Sequence, residues 1–192
     1  MKVRIHKILK NTKVEGPFTR YCIWFQGCSR NCKGCWAKDT WDLQGGYEID
    51  ADELLDDILS TKNIEGVTFL GGEPFEQPDA LTFLAKNISK NGLGVVCFTG
   101  NKIDEINNRE PLKYIDLLID GEFIEKEKDF SRPWVGSKNQ KYHFLTPRYN
   151  EKIFTEYKNK IEINILKNGL ITVNGMGDFE KFSQNLEMLT KH

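Results

Sequence analysis

The sequence predicts an α/β fold with mainly parallel strands, followed by a C-terminal β-hairpin and helix. Three observations predict it. Short apolar or β-branched runs alternate with helix-like segments as far as about residue 147. These runs are continuously apolar rather than alternating, as strands of a parallel sheet covered by helices require. After about Asn150 the pattern changes to alternation broken by turn residues, which is typical of a hairpin.

The first part of the chain predicts repeated βαβ units, and therefore parallel pairing. The predicted strands are the apolar runs at 21–27, 67–72, 95–100 and 115–123. The predicted helix at 50–61 carries one apolar stripe, and Asp50 can cap its start with Glu53 three residues further on. The stripe consists of Leu54, Leu55, Ile58 and Leu59. A second helix is predicted at 79–91, with a similar stripe, and a short helical segment at 103–108.

The C-terminal part predicts a different local structure. Three isoleucines alternate with polar residues over 161–165, Lys167, Asn168 and Gly169 supply turn chemistry, and 170–173 returns as a second strand. A short terminal helix is then predicted, because apolar side chains recur there at helical spacing. These are Phe179, Phe182, Leu186 and Leu189.

Composition excludes several classes of protein. The 192 residues, 39% of them hydrophobic, are enough for one domain with a proper core. Because 27 basic residues nearly balance 28 acidic ones, no overall field favours nucleic acid or an anionic membrane. No apolar run approaches ~18 residues and the first residues lack the pattern of an export signal, so we expect a cytoplasmic protein. In that compartment five cysteines do not predict disulfides.

Three of the five cysteines form the strongest chemical signal. Cys28, Cys32 and Cys35 lie within eight residues, and Gly27 and Gly34 around them predict a loop rather than a helix. Thiolates bind zinc or iron-sulfur clusters, and a [4Fe-4S] cluster held by three cysteines keeps one iron open for a small molecule.

The alternative for this loop is structural zinc, which needs a fourth ligand. Cys22, Cys97 or a histidine could supply it. Both of these cysteines lie within apolar strand-like runs, where a free cysteine usually behaves as a small buried hydrophobe. The three histidines show no metal-ligand spacing.

A second signal is the turn Gly71–Gly72–Glu73–Pro74 after the second predicted strand. Two glycines expose backbone groups to a ligand, and Glu73 offers charge. Because ligands collect at the carboxyl ends of parallel strands, this turn and the cysteine loop should face the same side. Alone, such a turn predicts little more than a strand-to-helix connection. After CxxxCxxC, it predicts a cofactor site.

The ordered motifs resemble the radical S-adenosylmethionine (SAM) superfamily, and within it the activating proteins of anaerobic, class III ribonucleotide reductases. The resemblance covers roughly residues 10–146. It rests on EGPFTR at 15–20, FQGCSRNCKGCW at 25–36, Thr40-Trp41, FLGGEPF at 69–75, FTGNKIDEI at 98–106, LLIDGEF at 117–123 and WVGSKNQ at 134–140. It implies a shortened open (β/α) barrel. We therefore expect a radical SAM core domain at 1–147 and a hairpin-helix extension at 148–192 packed on it.

The resemblance also implies the cofactors and their residues. Cys28, Cys32 and Cys35 would hold a [4Fe-4S] cluster whose fourth iron is chelated by the amino and carboxylate groups of SAM. Reductive cleavage of SAM would give methionine and a 5'-deoxyadenosyl radical, without a catalytic acid or base from the protein. The residues implied to contact SAM are Gly34, Cys35, Trp36, Gly71, Gly72, Glu73 and Pro74. Thr99 and Asp120, at later strand ends, are implied to contact SAM or the target.

The implied partners are a glycyl radical enzyme, such as anaerobic ribonucleotide reductase, and reduced flavodoxin or ferredoxin as electron donor. Two alternatives stay open: a radical SAM enzyme that modifies another peptide or a small molecule, and a non-catalytic metal or electron-transfer protein. Asn101 departs from the family, whose members commonly carry an aromatic residue there. So does the extension at 148–192, which could dock a different target or simply cap an open sheet edge.

Overall fold

The computed structural model describes residues 1–165, 169 and 171–177. Within them the helices and strands alternate along most of the chain. The strands are β1 (Lys2–Thr12), β2 (Arg20–Phe25), β3 (Tyr47–Asp50), β4 (Gly66–Gly71), β5 (Gly94–Phe98), β6 (Leu117–Asp120), β7 (Lys141–Phe144), β8 (Ile161–Ile165) and β9 (Ile171–Gly175). The α-helices are α1 (Ala51–Ser60), α2 (Pro78–Lys90), α3 (Ile103–Ile106) and α4 (Ile153–Glu156), and 3₁₀ turns lie at Lys38–Thr40, Pro74–Glu76, Glu110–Tyr114 and Glu125–Glu127.

Seven strands form one mixed sheet in the order β3-β1-β2-β4-β5-β6-β7. Its centre, β2-β4-β5-β6, is parallel, so the predicted α/β fold with mainly parallel strands is confirmed. The edges differ from the prediction. Strands β1, β3 and β7 pair antiparallel, and β1 and β3 were not predicted as strands because their apolar residues are mixed with charged ones.

Helices α1 and α2 cover one face of the sheet. Asp50 caps α1 as predicted, since its side chain accepts a 2.9 Å hydrogen bond from the backbone N–H of Asp52. The apolar stripe of α2 packs on strand residues that point to this face, and so do Leu54, Leu55 and Ile58 of α1. Leu59, the fourth residue of the predicted α1 stripe, is 40% exposed and lies outside this core, because it is at the end of the helix and turned to solvent. The main core therefore lies between the helices and the sheet, and its larger members include Tyr21, Phe25, Phe69, Leu54, Ile58, Leu81, Leu84 and Ile88.

The opposite face of the sheet is covered in part by later segments. Trp134, Val135, Tyr149 and Ile153 pack on β5 and β6. Tyr149 also accepts a 2.7 Å hydrogen bond from Arg20, a guanidinium that is fully buried. These contacts tie residues after 148 to the main sheet.

Strands β8 and β9 pair antiparallel as a separate two-stranded sheet. Their polar side chains, rather than their isoleucines, turn towards the main sheet: Asn174 is buried and donates to the Thr12 hydroxyl at 3.2 Å. Ile163, Ile165 and Ile171 are exposed. The predicted turn at 167–168 and the predicted terminal helix lie outside the described residues.

None of the helices in the described part of the chain has the length and apolar character that a membrane span requires.

Candidate functional site

The three clustered cysteines lie on an irregular loop that follows β2, as their flanking glycines predicted. Gly27 and Gly34 adopt φ angles of +97° and +77°, a region that side chains disfavour. The loop returns to its own start, because the N–H of Gly27 donates to the carbonyl of Thr40 at 2.8 Å and that of Cys28 to Trp41 at 3.2 Å. The Thr40-Trp41 motif thus closes the base of the cysteine loop.

All three thiols are partly exposed and form no disulfide. Burial raises the pKa of Cys28 and of Cys32. Backbone N–H groups oppose that shift and favour the thiolate: those of Arg30 and Asn31 at Cys28, and that of Phe123 at Cys32. A loop that directs backbone donors at sulfur is suited to thiolate ligands.

The other two cysteines are of a different kind. Cys22 and Cys97 are fully buried within β2 and β5, and burial raises both of their pKa values well above the ordinary one. They are core residues rather than ligands. Among the residues that the structure describes, no three His, Cys, Asp or Glu side chains converge on one metal ion. A [4Fe-4S] cluster does not need such convergence, because each thiolate binds a different iron.

The turn that follows β4 is hydrogen-bonded to the end of β2 and to the start of the cysteine loop. The N–H of Gly72 donates to the carbonyl of Phe25 and the N–H of Glu73 to that of Gly27, both at 2.8 Å. A Cβ atom on Gly72 would lie 2.3 Å from the Gly27 carbonyl oxygen. The sequence offered Gly72 as a backbone contact for a cofactor. In the structure a glycine is required at position 72 by the close approach of two backbone segments.

Glu73 is only 3% exposed, and its carboxylate is occupied by donors of the protein. It accepts hydrogen bonds from the N–H of Phe75 at 3.0 Å, the hydroxyl of Thr99 at 2.8 Å and the N–H of Gly100 at 2.8 Å. Burial raises its pKa, and these three donors oppose the shift. Its charge therefore holds the ends of β4 and β5 together. Pro74 opens the 3₁₀ turn behind it.

The remaining sequence-predicted residues lie around this centre. Asp120, at the end of β6, accepts from the N–H of Ile103 at 2.7 Å and lies 2.9 Å from His143 Nε2. A Cβ on Gly34 would lie 3.0 Å from the Glu125 carboxylate. Trp36, 54% exposed, follows the third cysteine. Glu73 and Thr99 are thus in contact, whereas Asp120 belongs to a separate group of hydrogen bonds.

Sequence reasoning missed a cleft beside the cysteine loop. It has a volume of about 380 Å³ and is lined by Ser29, Arg30, Glu73, Phe75, Glu76, Asn101 and Arg109. Arg30 crosses from the loop to the end of β5 and donates to Asn101 at 2.6 Å. Glu76 accepts from both the N–H and the hydroxyl of Ser29. The sequence positions of these residues could have indicated the cleft. Ser29 and Arg30 lie between the first two cysteines, and Glu76 comes two residues after the turn.

Comparison with known proteins agrees with this geometry. The family model described as a 4Fe-4S single cluster domain matches residues 14–143. The anaerobic ribonucleoside-triphosphate reductase-activating protein of Salmonella typhimurium is 31% identical over 153 residues, which cover 74% of this chain and 99% of that protein. The protein of the same name from Escherichia coli K12 is 32% identical over 142 residues, 69% of this chain and 92% of its own.

Two further matches are more partial. The pyruvate formate-lyase-activating enzyme of Clostridium pasteurianum is 37% identical over 121 residues, 60% of this chain and 50% of that enzyme. The crystal structure of QueE from Escherichia coli aligns with 53% of this chain and 54% of its own, at 22% identity and a TM-score of 0.46.

Proposed function

The chain belongs to the 4Fe-4S single cluster domain family and, within it, to the radical SAM activating proteins, and from this premise we propose that it installs a glycyl radical on a partner enzyme. Its cofactors are a [4Fe-4S] cluster and SAM. The partner we propose is an anaerobic ribonucleotide reductase, and the proposed electron donor is reduced flavodoxin or ferredoxin.

One observation carries the proposal: two backbone hydrogen bonds of 2.8 Å join the Gly71–Pro74 turn to Phe25, the last residue of β2, and to Gly27 at the start of the loop with three thiols. We assign Cys28, Cys32 and Cys35 as the cluster ligands, with the fourth iron left for SAM. When bound, the two cofactors supply the one-electron cleavage of SAM that yields a 5'-deoxyadenosyl radical.

The protein's own residues supply position and rigidity. Thr40 and Trp41 fix the base of the cysteine loop, and Glu73 fixes the turn against β5. We assign the partly exposed residues Gly34, Cys35, Gly71 and Gly72 to contacts with SAM, together with Trp36 and Pro74. Thr99 and Asp120 have a positioning role in this proposal, because each of them is bonded to a protein group at its strand end.

We also propose the finer architecture that the family implies, an open (β/α) barrel at 1–147 with an extension at 148–192. The four parallel central strands with two helices on one face support it. The contacts of Tyr149 and Ile153 with β5 and β6 support packing of the extension on that barrel.

The test is anaerobic incubation of the cluster-loaded protein with SAM, a reductant and the anaerobic ribonucleotide reductase of the same cell. We expect a glycine-centred radical in the electron paramagnetic resonance (EPR) spectrum of the reductase, and none with the Cys32→Ala variant. Cleavage of SAM without a radical on the reductase would reject this partner.

The extension supports a second candidate target, another peptide or a small molecule. The N–H of Gly175 donates to Glu15 at 2.6 Å, so β9 contacts the start of the EGPFTR segment at 15–20. The matched length of the Salmonella relative is 153 residues, whereas this chain has 192. Formation of 5'-deoxyadenosine that depends on a molecule other than a glycyl radical enzyme would favour this candidate.

A further inference from the structure

One layer of side chains crosses the face of the sheet that α1 and α2 leave open. Paired residues of neighbouring strands project to the same face, so the strand register defines the layer. Lys7 pairs with Trp24, Trp24 with Leu70, Phe98 with Ile119, and Ile119 with Tyr142. Leu70 and Phe98 follow the paired residues Phe69 and Cys97, and both belong to one cluster with Trp24.

This layer lies immediately below the candidate site. Trp24 comes four residues before Cys28, Leu70 two before Gly72, Phe98 directly before Thr99, and Ile119 directly before Asp120. Ile119 is buried in one cluster with Trp134 and Val135, whereas Lys7 and Phe98 are partly exposed. A substrate that reaches the radical from this face therefore meets the layer between Lys7 and Phe98. All side chains of the layer are apolar or aromatic except Lys7.

A β-bulge places Lys7 in the layer. Ile5 pairs with Phe25, but the next residue back along β2, Trp24, pairs with Lys7 instead of His6. One extra residue in β1 thus turns the lysine, rather than the histidine, to the open face. Bulges that redirect a side chain are common next to functional sites.

The Lys7 ammonium has no ion pair or hydrogen bond to any described residue. It lies 4.3 Å from the centroid of the Trp24 ring and is half-buried. Burial lowers its pKa, and the nearby carboxylates of Glu15 and Asp39 oppose that shift. Glu15 is already engaged by the N–H of Gly175. A cation held on an aromatic ring without a direct ion pair keeps its N–H donors available to an anion.

The surrounding charges select the kind of anion. The two carboxylates near the ammonium, Glu15 and Asp39, repel a dianion such as phosphate more strongly than a single negative charge. A carboxylate also matches the point-like donor geometry of lysine, whereas arginine suits bidentate recognition of phosphate. The apolar remainder of the layer fits the uncharged body of the same substrate.

We propose that Lys7 is a specificity-determining residue that binds a carboxylate of the polypeptide segment presented to the radical. This inference rests on the proposed function, in which the target is a polypeptide. The reacting residue would lie over Leu70 and Phe98, with the acidic side chain on the β1 side.

The test measures binding without chemistry. Fluorescence anisotropy follows short labelled glycine peptides, identical except for glutamate, glutamine or lysine beside the glycine, on the cluster-loaded protein with SAM and no reductant. We expect the wild type to bind the glutamate peptide about tenfold more tightly than the glutamine peptide, as a partly buried charge pair would give. Lys7→Met should lose that preference, and Lys7→Glu should prefer the lysine peptide.

The matched control is Lys10→Met, which removes the same charge from the same strand but from a lysine paired with Asp57. It should keep the preference of the wild type. A wild type that binds the glutamate and glutamine peptides equally, or neither of them, would overturn the proposal, and so would a preference that survives in Lys7→Met. Weaker SAM binding in Lys7→Met, seen in the EPR spectrum of the cluster, would assign the lysine to the cofactor instead.

Free glutarate tests whether a carboxylate alone binds at Lys7, without the rest of the peptide. If glutarate displaces the glutamate peptide from the wild type but has no effect on Lys7→Met, the carboxylate-binding site at Lys7 is confirmed. A failure of the reductase experiment in the same preparation would then count against the proposed partner and not against Lys7.

Discussion

The Thr99 hydroxyl donates a 2.8 Å hydrogen bond to the buried carboxylate of Glu73. This contact joins the turn after β4 to the end of β5, and the N–H of Gly100 strengthens the link at 2.8 Å. Since the turn is also bonded to Gly27, the cysteine loop, the glycine turn and the end of β5 form one connected unit.

Replacing Glu73 with glutamine should weaken this unit. The glutamine amide keeps one oxygen as an acceptor, but its NH₂ group then faces an N–H or O–H group that donated to the carboxylate. Loss of a hydrogen bond to a buried charge costs about 1.5–3 kcal/mol. We expect that loss in the free energy of urea unfolding, together with weaker SAM binding. The control is Glu110→Gln, an exposed partner of Lys113, which should change stability by less than about 0.5 kcal/mol. Equal effects of the two changes would contradict the role given to Glu73.

Removal of any one thiol of the cysteine loop should abolish the cluster. We expect loss of bound iron, acid-labile sulfide and cluster absorbance in each of Cys28→Ala, Cys32→Ala and Cys35→Ala, because two thiolates cannot hold the [4Fe-4S] cluster. Cys22→Ala and Cys97→Ala are the controls: both residues are buried in strands and should keep the cluster. Retained cluster absorbance in Cys32→Ala would refute the ligand assignment.

Any side chain at position 72 should affect the cluster as well as SAM. A Cβ there would lie 2.3 Å from the Gly27 carbonyl oxygen, so Gly72→Ala must displace either the turn or the start of the cysteine loop. We expect less iron per chain after reconstitution and weaker SAM binding by EPR titration. Gly92→Ala is the control, since its φ of +78° strains the backbone but no atom lies within 4 Å of the added Cβ. Full iron content in Gly72→Ala would show that the two segments can separate without consequence.

Stability should depend on the protonation of Glu15. Burial raises its pKa from the ordinary 4.5 to about 6, so the folded chain holds this proton more tightly than the unfolded chain. The contribution of Glu15 to the free energy of unfolding is therefore complete below pH 4.5 and is lost as the pH rises through about 6. The loss amounts to about 2 kcal/mol.

Glu15→Gln keeps an acceptor for the N–H of Gly175 and removes the charge. The variant should match the wild type near pH 4.5 and exceed its stability at neutral pH. Urea unfolding of both proteins across this pH range measures the difference between their free energies of unfolding. The contributions of the other carboxylates are the same in both proteins and cancel in that difference. A difference that does not change with pH would argue against a buried charge at this position.

Part of the fold and much of the site follow from local sequence. Helix α1 begins next to the capping residue that its sequence indicates, because a cap and an apolar stripe are fixed within a few residues. The edge strands β1 and β3 escaped prediction because their charged residues interrupt the apolar pattern, and only pairing with β2 and with each other makes them strands. The same limit applies to β8 and β9, where alternation predicts two faces but not which face turns towards the main sheet.

The sequence by itself determined the chemistry of the site. The spacing of Cys28, Cys32 and Cys35 and the turn at Gly71–Pro74 are short-range features, and short-range features dictate which ligands and which flexible backbone are present. Only the tertiary structure decided that Gly72 faces the Gly27 carbonyl, that Glu73 is occupied by Thr99 and Gly100, and that a bulge turns Lys7 to the open face. Those relationships depend on strand register and on contacts between residues far apart in the chain, and neither is encoded in the spacing of a motif.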